Sequence, residues 1–332
     1  MGEDELIQTI FAPLAVGFPG ALGLKDDCAL LTPEPGFDLV LTTDAVAEGV
    51  HFLPDDAPAD IAWKALAVNV SDLVAKGARP VAYLLSLSFP ERPARAWLDA
   101  FAAGLGEAQR VYSIALAGGD TDRRPGPLTV TISAVGAVPA GRFVRRGTGR
   151  AGDDLLLSGT IGDGALGLLM RQDPERGAAL GLGADGIGHL VARYLRPQPR
   201  LGLAAHVLAF ASAAMDVSDG LVKDCARLAL ASGVGAEIDA SRLPLSPAAR
   251  AAITREPSLM ASVLGGGDDY EVLAAASPDS SAAFREAALA SGVALTSIGR
   301  LVAGAGVAVF DGDGGRIEIS RAGWDHFLES WR

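Results

Sequence analysis

Residues 114–138 read Ile-Ala-Leu-Ala-Gly-Gly-Asp-Thr-Asp-Arg-Arg-Pro-Gly-Pro-Leu-Thr-Val-Thr-Ile-Ser-Ala-Val-Gly-Ala-Val. Residues 114–117 form an apolar strand that breaks at Gly118-Gly119-Asp120. Residues 128–138 then alternate Thr and Ser with apolar side chains, as a half-buried strand does. Strand follows strand with no helical stretch between them. A doubly wound sheet alternates strand and helix, so this order favours an α+β fold.

Working outward from that stretch, residues 94–112 read as a helix and 81–89 as a strand stopped by Pro90. Residues 59–77 read as a helix closed by Gly77. Residues 39–41 are a short buried strand meeting polar Thr42-Thr43-Asp44, and 6–15 have helical spacing with acids at the favoured end. On the other side, residues 142–154 are basic and glycine-rich, which places a domain boundary there: 1–141 and 142–332. Beyond it, strands are expected at 155–157, 213–216, 236–238, 270–275, 295–301 and 307–310. Helices are expected at 164–171, 204–211, 220–231 and 282–291. The longest apolar stretch, 201–215, contains His206, is too short to span a bilayer and reads as a buried helix.

The 332 residues are 49% hydrophobic, enough for a large core, and a length suited to two domains. The net charge of −12 disfavours a nucleic-acid partner, which asks for a basic face. Cys28 and Cys225 make neither a metal cluster nor a disulfide framework, so a reducing compartment, the cytoplasm, is the simpler expectation. The N-terminus, Met1-Gly2-Glu3-Asp4-Glu5, is acidic and lacks an apolar signal core; no membrane association is expected.

Carboxylates recur where strands end or turns begin: Asp26-Asp27, Asp44, Asp72, Asp120, Asp216 with Asp219, and Asp268-Asp269. Any one of them, taken alone, reads more readily as a helix cap or Asx-turn. Converging carboxylates are another matter. Two of them ~4 Å apart repel by roughly 4 kcal/mol at an effective dielectric near 20, so a group of them calls for a cation. All-oxygen donors of this kind suit Mg²⁺ rather than Zn²⁺.

No phosphate-binding G-x-x-x-x-G-K-[ST] loop is present. Of three G-x-G-x-x-G matches, 162–167 has a strand before it and a helix after it, the setting of a nicotinamide oxidoreductase. The second strand and its acid are missing from the glycine-rich stretch 176–188. Glycines packing a helix on a strand explain the match as well. His51, His189, His206 and His326 have no zinc spacing, and no nucleophile elbow surrounds a serine. A non-catalytic Ca²⁺-binding protein is a further reading of the acids, but no compact calcium loop is present.

Seven motifs resemble the thiamine-monophosphate kinase family. They are Asp26-Asp27-Cys28-Ala29-Leu30, Thr42-Thr43-Asp44, Glu48 to Leu53, Trp63 to Leu73, Gly118-Gly119-Asp120-Thr121, Asp216-Val217-Ser218-Asp219-Gly220-Leu221 and Gly266-Gly267-Asp268-Asp269-Tyr270-Glu271. The resemblance runs in order from about residue 3 to about residue 328. The family is related to aminoimidazole ribonucleotide synthetase, selenophosphate synthetase and a hydrogenase maturation factor. It implies two α+β domains of aminoimidazole ribonucleotide synthetase-like fold, with 1–141 binding ATP and Mg²⁺ and pairing in a homodimer. It implies transfer of the ATP γ-phosphate onto thiamine monophosphate, with several Mg²⁺ ions. By position, Asp27, Thr42, Thr43, Asp44, Asp72, Asp120, Asp216 and Asp219 would be the metal set. Gly119, Asp120, Arg146 and Ser218 would contact ATP, and Asp72, Asp120 and Arg146 would be catalytic. His51, Asp268 and Trp324 would contact thiamine monophosphate. The sequence departs from the family at Lys25, where Gly is usual, at Asp268, where Glu is usual, and at Trp324, where Tyr is common. A selenophosphate synthetase needs a reactive Cys in a glycine-rich setting that Cys28 lacks. An aminoimidazole ribonucleotide synthetase-like ligase remains the alternative within the superfamily.

Overall fold

The computed structural model describes residues 2–319 and 322–324; His326 lies outside them. The chain separates into two units. One comprises Met1–Val74 and Ala78–Phe143; the other comprises Ala75–Gly77 and the chain from Val144 onward.

In the first unit, α1 (Glu3–Leu6) continues as a wider turn over Ile7–Phe11 and a tighter one over Ala12–Ala15. The expected helix over 6–15 thus changes pitch twice. Pro13, which cannot donate to the ladder, lies in the last turn. Then follow β1 (Phe37–Ala47), α2 (Pro58–Ala75), β2 (Arg79–Phe89), α3 (Arg95–Tyr112), β3 (Ala115–Arg123) and β4 (Thr129–Pro139). The sheet order is β1-β4-β2-β3. Only β2 and β3 are parallel, joined through α3, and the strand-to-strand step from β3 to β4 is the one the sequence marks.

Two expectations change. β1 is not a short buried strand ending at Thr42. It is an edge strand of 11 residues, paired with β4 along its whole length, and Leu41 is 76% exposed. β3 does not break at Gly118-Gly119-Asp120 but continues to Arg123, because residues 118–123 pair with 84–89 of β2 beyond a bulge at Tyr83/Leu84. One face of the sheet is buried through Val130, Ile132, Leu85 and Leu87. The side carrying Leu39, Leu41 and Leu84 is open. α2 is buried on nearly every side from Ile61 to Ala75, and Gly77 follows it at φ +72°, the left-handed stop the sequence implies.

The second unit runs β5 (Asp154–Ser158), α4 (Asp163–Gln172), α5 (Arg176–Ala179), α6 (Ala184–Leu195), α7 (Ala204–Phe210), β6 (Ala213–Val217), α8 (Leu221–Ser232), β7 (Gly235–Asp239), α9 (Pro247–Arg255), α10 (Met260–Gly265), β8 (Glu271–Ala276), α11 (Pro278–Ala290), β9 (Leu295–Val302) and β10 (Val307–Phe310). The sheet order is β10-β7-β9-β5-β8-β6, antiparallel except for β10 with β7. The apolar stretch 201–215 is not one buried helix. It divides into a tight turn, α7 and the start of β6. Every residue of β6 is buried, so it has no alternation to tell it from a helix. Ser212 marks the division, its N–H donating to Ala275 O at 2.8 Å.

The nicotinamide reading fails on topology. Both neighbours of β5 are antiparallel to it, whereas a dinucleotide crevice needs parallel strands. The N-terminus of α4 is also filled from within, by a side chain described below.

Candidate active site

Two groups of residues emerge, one in each unit. In the first, Thr42 and Asp44 stand two apart on β1 and share the side facing α2. Thr42 Oγ1 donates to Asp72 Oδ2 at 2.5 Å, and Asp44 N donates to Asn69 Oδ1 at 3.1 Å. Asn69 and Asp72 are three apart on α2 and so lie on one helix face. Asn69 Nδ2 is tied to Ala65 O at 3.0 Å, which turns its oxygen toward β1. Thr43 points to the other side, onto β4, with Ser133 Oγ at 2.9 Å and Ile132 O at 3.2 Å. The fold therefore gathers Thr42, Asp44 and Asp72 and sets Thr43 apart. His51 Nδ1 accepts Ala47 N–H at 3.1 Å, and the buried Lys64 donates to the His51 carbonyl at 2.8 Å.

A cavity of about 660 Å³ lies within this unit. Phe11, Leu24 and Leu116 line it together with Asp26, Asp27 and Asp120, a mixture of apolar wall and few polar groups that suits a small ligand. Gly119 is on its wall too, opposite Leu85 on β2. Lys25, where the family has Gly, sits at φ −111°, a conformation open to any residue, so that departure strains nothing.

The second group is built on the turn from β6 to α8. Asp216 is buried one residue before the end of β6, and Ser218 and Asp219 form the turn. Asp268 N donates to Ser218 O at 3.0 Å, and Trp324 N donates to Asp219 O at 2.8 Å. Ser218, Asp219, Asp268 and Trp324, far apart in sequence, thus meet around one turn. Asp268 and Tyr270 both have positive φ, +68° and +52°, and Tyr270 Oη donates to Asp268 Oδ1 at 3.2 Å. Such backbone costs of order 1–3 kcal/mol per residue and persists only where its surroundings hold it. Asp269 supplies the hold. Fully buried, it accepts Gly162 N–H at 2.9 Å on each oxygen and Gly164 N–H at 3.3 Å, filling the N-terminus of α4. Burial pushes its carboxyl well above the usual range; the Gly162 and Gly164 N–H groups and Arg193 oppose the shift, and Asp163 adds to it. Arg146 is exposed, its carbonyl accepting Ser232 Oγ at 3.1 Å.

Sequence reasoning missed the partners of these residues. Asp224 is buried in the first turn of α8 and accepts the N–H groups of Ser218 and Asp219 at 3.0 and 2.9 Å. Glu271, fully buried, holds Arg193 at 2.9 Å, Ser158 Oγ at 2.6 Å and both Nε and Nη2 of Arg200. A motif pattern gives no sign of Arg193, Arg200 or Asp224, though Asp224 does stand in a first helical turn. Among the described residues, no three His, Cys, Asp or Glu side chains sit together as a ready metal cage.

The chain matches the family model "AIR synthase related protein, N-terminal domain" over residues 25–138 and its C-terminal counterpart over 150–312. A thiamine-monophosphate kinase of Caulobacter vibrioides is 42% identical over 98% of this chain and 90% of its own length. The chain belongs to the thiamine-monophosphate kinase family. A solved member from Stenotrophomonas maltophilia K279a is 39% identical, covers 93% of this chain and 98% of its own, and superposes with a TM-score of 0.82. The structure of AaThiL complexed with AMPPCP and TMP is 33% identical, covers 98% of this chain and 97% of its own, and gives a TM-score of 0.76. The two-domain aminoimidazole ribonucleotide synthetase-like fold is thereby established for this chain.

Proposed function

We propose that this chain transfers the γ-phosphate of ATP to thiamine monophosphate, releasing ADP and thiamine diphosphate. The observation that carries the reading is the meeting of Ser218, Asp219, Asp268 and Trp324 around one turn in a member of this family. Support also comes from AaThiL, which binds AMPPCP and TMP together. Trp324 offers an aromatic face to a cationic thiazolium. Asp268 and His51 are the polar contacts for the same substrate.

The acceptor is a phosphate monoester whose second pKa is about 6, so its oxygen is ionised near neutrality and needs no general base. The barrier is the approach of two polyanions in line. Bound Mg²⁺ would supply positive charge that neutralises the phosphates. The residues suit that kind of ion: Thr42, Asp44 and Asp72 together, Asp27 and Asp120 on the cavity wall, Thr43 on the other side of β1, and Asp216 and Asp219 in the other unit offer only oxygen. Mg²⁺ commonly takes one or two carboxylates and completes its shell with phosphate oxygens and water, which suits carboxylates that do not form a closed cage. Arg146 adds positive charge for the transferring group, and Gly119, Asp120 and Ser218 complete the ATP contacts. Transfer is direct, with no phosphoenzyme.

The open face carrying Leu39, Leu41 and Leu84 is the surface through which two copies pair. The cytoplasm is the compartment, in keeping with two free thiols. Among the described residues, no helix is long and apolar enough to cross a membrane.

The test is incubation with ATP, Mg²⁺ and thiamine monophosphate, with products identified by mass. Thiamine diphosphate formed in step with ADP supports the reading. ADP without thiamine diphosphate points to another acceptor, as for a ligase of the same superfamily. A hydroxylamine-sensitive or acid-stable phosphorylated chain during turnover sinks the direct transfer.

A further inference from the structure

Asp224 is fully buried, yet it caps nothing in its own helix interior. Its Oδ2 reaches back to the N–H groups of Ser218 and Asp219 at 3.0 and 2.9 Å. Its Oδ1 accepts from Arg227 Nη1 at 2.8 Å, one helical turn on. Arg227 Nη2 then returns to Asp219 Oδ2 at 2.7 Å, with Lys223 Nζ 3.4 Å from the same oxygen. Three of these links form a ring that starts at the backbone N–H of residue 219 and ends at its carboxylate. The planar fork of an arginine can bridge two carboxylates at fixed angles, which a flexible ammonium cannot do as firmly. Both cations thus reach the same oxygen of Asp219, Oδ2, which is clamped from two sides.

We propose that Asp224 and Arg227 are positioning residues that hold Asp219 in place as a ligand for the divalent cation accompanying ATP. This rests on the reading of Asp219 as a metal ligand. Ligating carboxylates are usually fixed by such outer partners, whose loss typically weakens metal affinity or activity by about 10–100-fold. The burial of Asp224 fits the role, since it fixes the carboxylate that the ring turns on.

The experiment titrates Mg²⁺ into the full chain at fixed AMPPCP, following nucleotide binding by calorimetry, for wild type, Asp219→Asn, Asp224→Asn and Arg227→Gln. Arg227 is 41% exposed, so Arg227→Gln keeps the fold even if Asp224→Asn does not; thermal unfolding checks both. The expected result is a half-saturating Mg²⁺ concentration raised about 10-fold or more in Arg227→Gln and in Asp219→Asn, with Arg227→Gln still unfolding in one cooperative transition above the assay temperature. A raised value in Asp219→Asn with none in Arg227→Gln overturns the positioning role and leaves the ligand standing. Tighter Mg²⁺ binding in Arg227→Gln also overturns it, because the arginine is then a competitor. No change in Asp219→Asn removes Asp219 from the metal set and the proposal with it.

Discussion

Gly119→Ala separates two reasons for a glycine on the wall of the cavity in the first unit. Residue 119 pairs with Leu85 across β3 and β2. A methyl built on it would stand 2.7 Å from Leu85 C and 3.0 Å from Leu85 N, and nearer still to Leu85 O. All three atoms are backbone within a ladder and cannot rotate away, so the strands must part. Overpacking costs about 1–3 kcal/mol and sometimes more, and the rigidity here puts the expected loss near 3 kcal/mol. With a urea slope of about 1.5 kcal/mol per M, the midpoint should fall by about 2 M. Gly118→Ala is the control. Its methyl meets Leu84 Cδ2 at 3.4 Å, the tip of a half-exposed side chain that can turn aside. It should stay within about 0.5 kcal/mol of wild type. Trp63 and Trp97 both lie in this unit, so urea unfolding followed by tryptophan fluorescence reads it. An unchanged midpoint for Gly119→Ala refutes the packing argument. If AMPPCP binding is lost with that midpoint unchanged, the glycine serves nucleotide approach and not the sheet.

Asp268→Ala removes a carboxylate held beside Ser218 and should raise the KM for thiamine monophosphate more than that for ATP; equal effects would deny it the substrate contact. Asp72→Asn should depress metal-dependent turnover by about 100-fold, and Thr42→Val, which removes the donor 2.5 Å from Asp72, by about 10-fold, in steady-state assays across Mg²⁺ concentrations. Leu41→Glu, at a position 76% exposed on the open sheet face, should convert a dimer to monomer in light scattering without loss of fold. Asp269 carries the pH prediction. Its folded pKa is raised above the unfolded one, so between the two the folded chain holds a proton the unfolded chain has released. Stability then falls as pH rises, by up to about 1.4 kcal/mol per unit. Asp269→Asn deletes that slope and one of two oxygens that accept Gly162 N–H, at a cost of about 1–3 kcal/mol. Its deficit in urea stability should be larger at pH 5 than at pH 8; a deficit that grows with pH would mean that the buried acid is ionised.

What the sequence could and could not reveal follows from the range of the interactions concerned. α2, β4 and α8 are fixed by local signals: a glycine stop after α2, alternation in β4, an acid-glycine turn before α8. Each is decided within one element, and each stands close to where it is read. The extents of β1 and β3 are not local, because each depends on a partner: β1 is long because β4 lies along it, and β3 outlasts its glycines because β2 accepts them. α6 escaped notice because Gly186 and Gly188 lower its helical signal, while Leu190 and Tyr194, four apart and buried, place it against the core. The same division runs through the candidate site. Asp216 is legible because it follows an apolar run, and Asp219 and Asp268 because they stand at acid- and glycine-rich turns. The side chains that hold them in place are not. Asp269 was seen only as the neighbour of Asp268, yet its bonds are to Gly162 and Gly164, over a hundred residues earlier. Asp224 and Arg227 look like an ordinary ion pair one helical turn apart, a pattern worth a few tenths of a kcal/mol on a solvated helix. Burial and the return contact to Asp219 change its meaning, and neither exists until α8 is packed. Residues that would touch substrate announce themselves by type and position along the chain, whereas residues that would aim them are defined by contacts that only the folded chain makes.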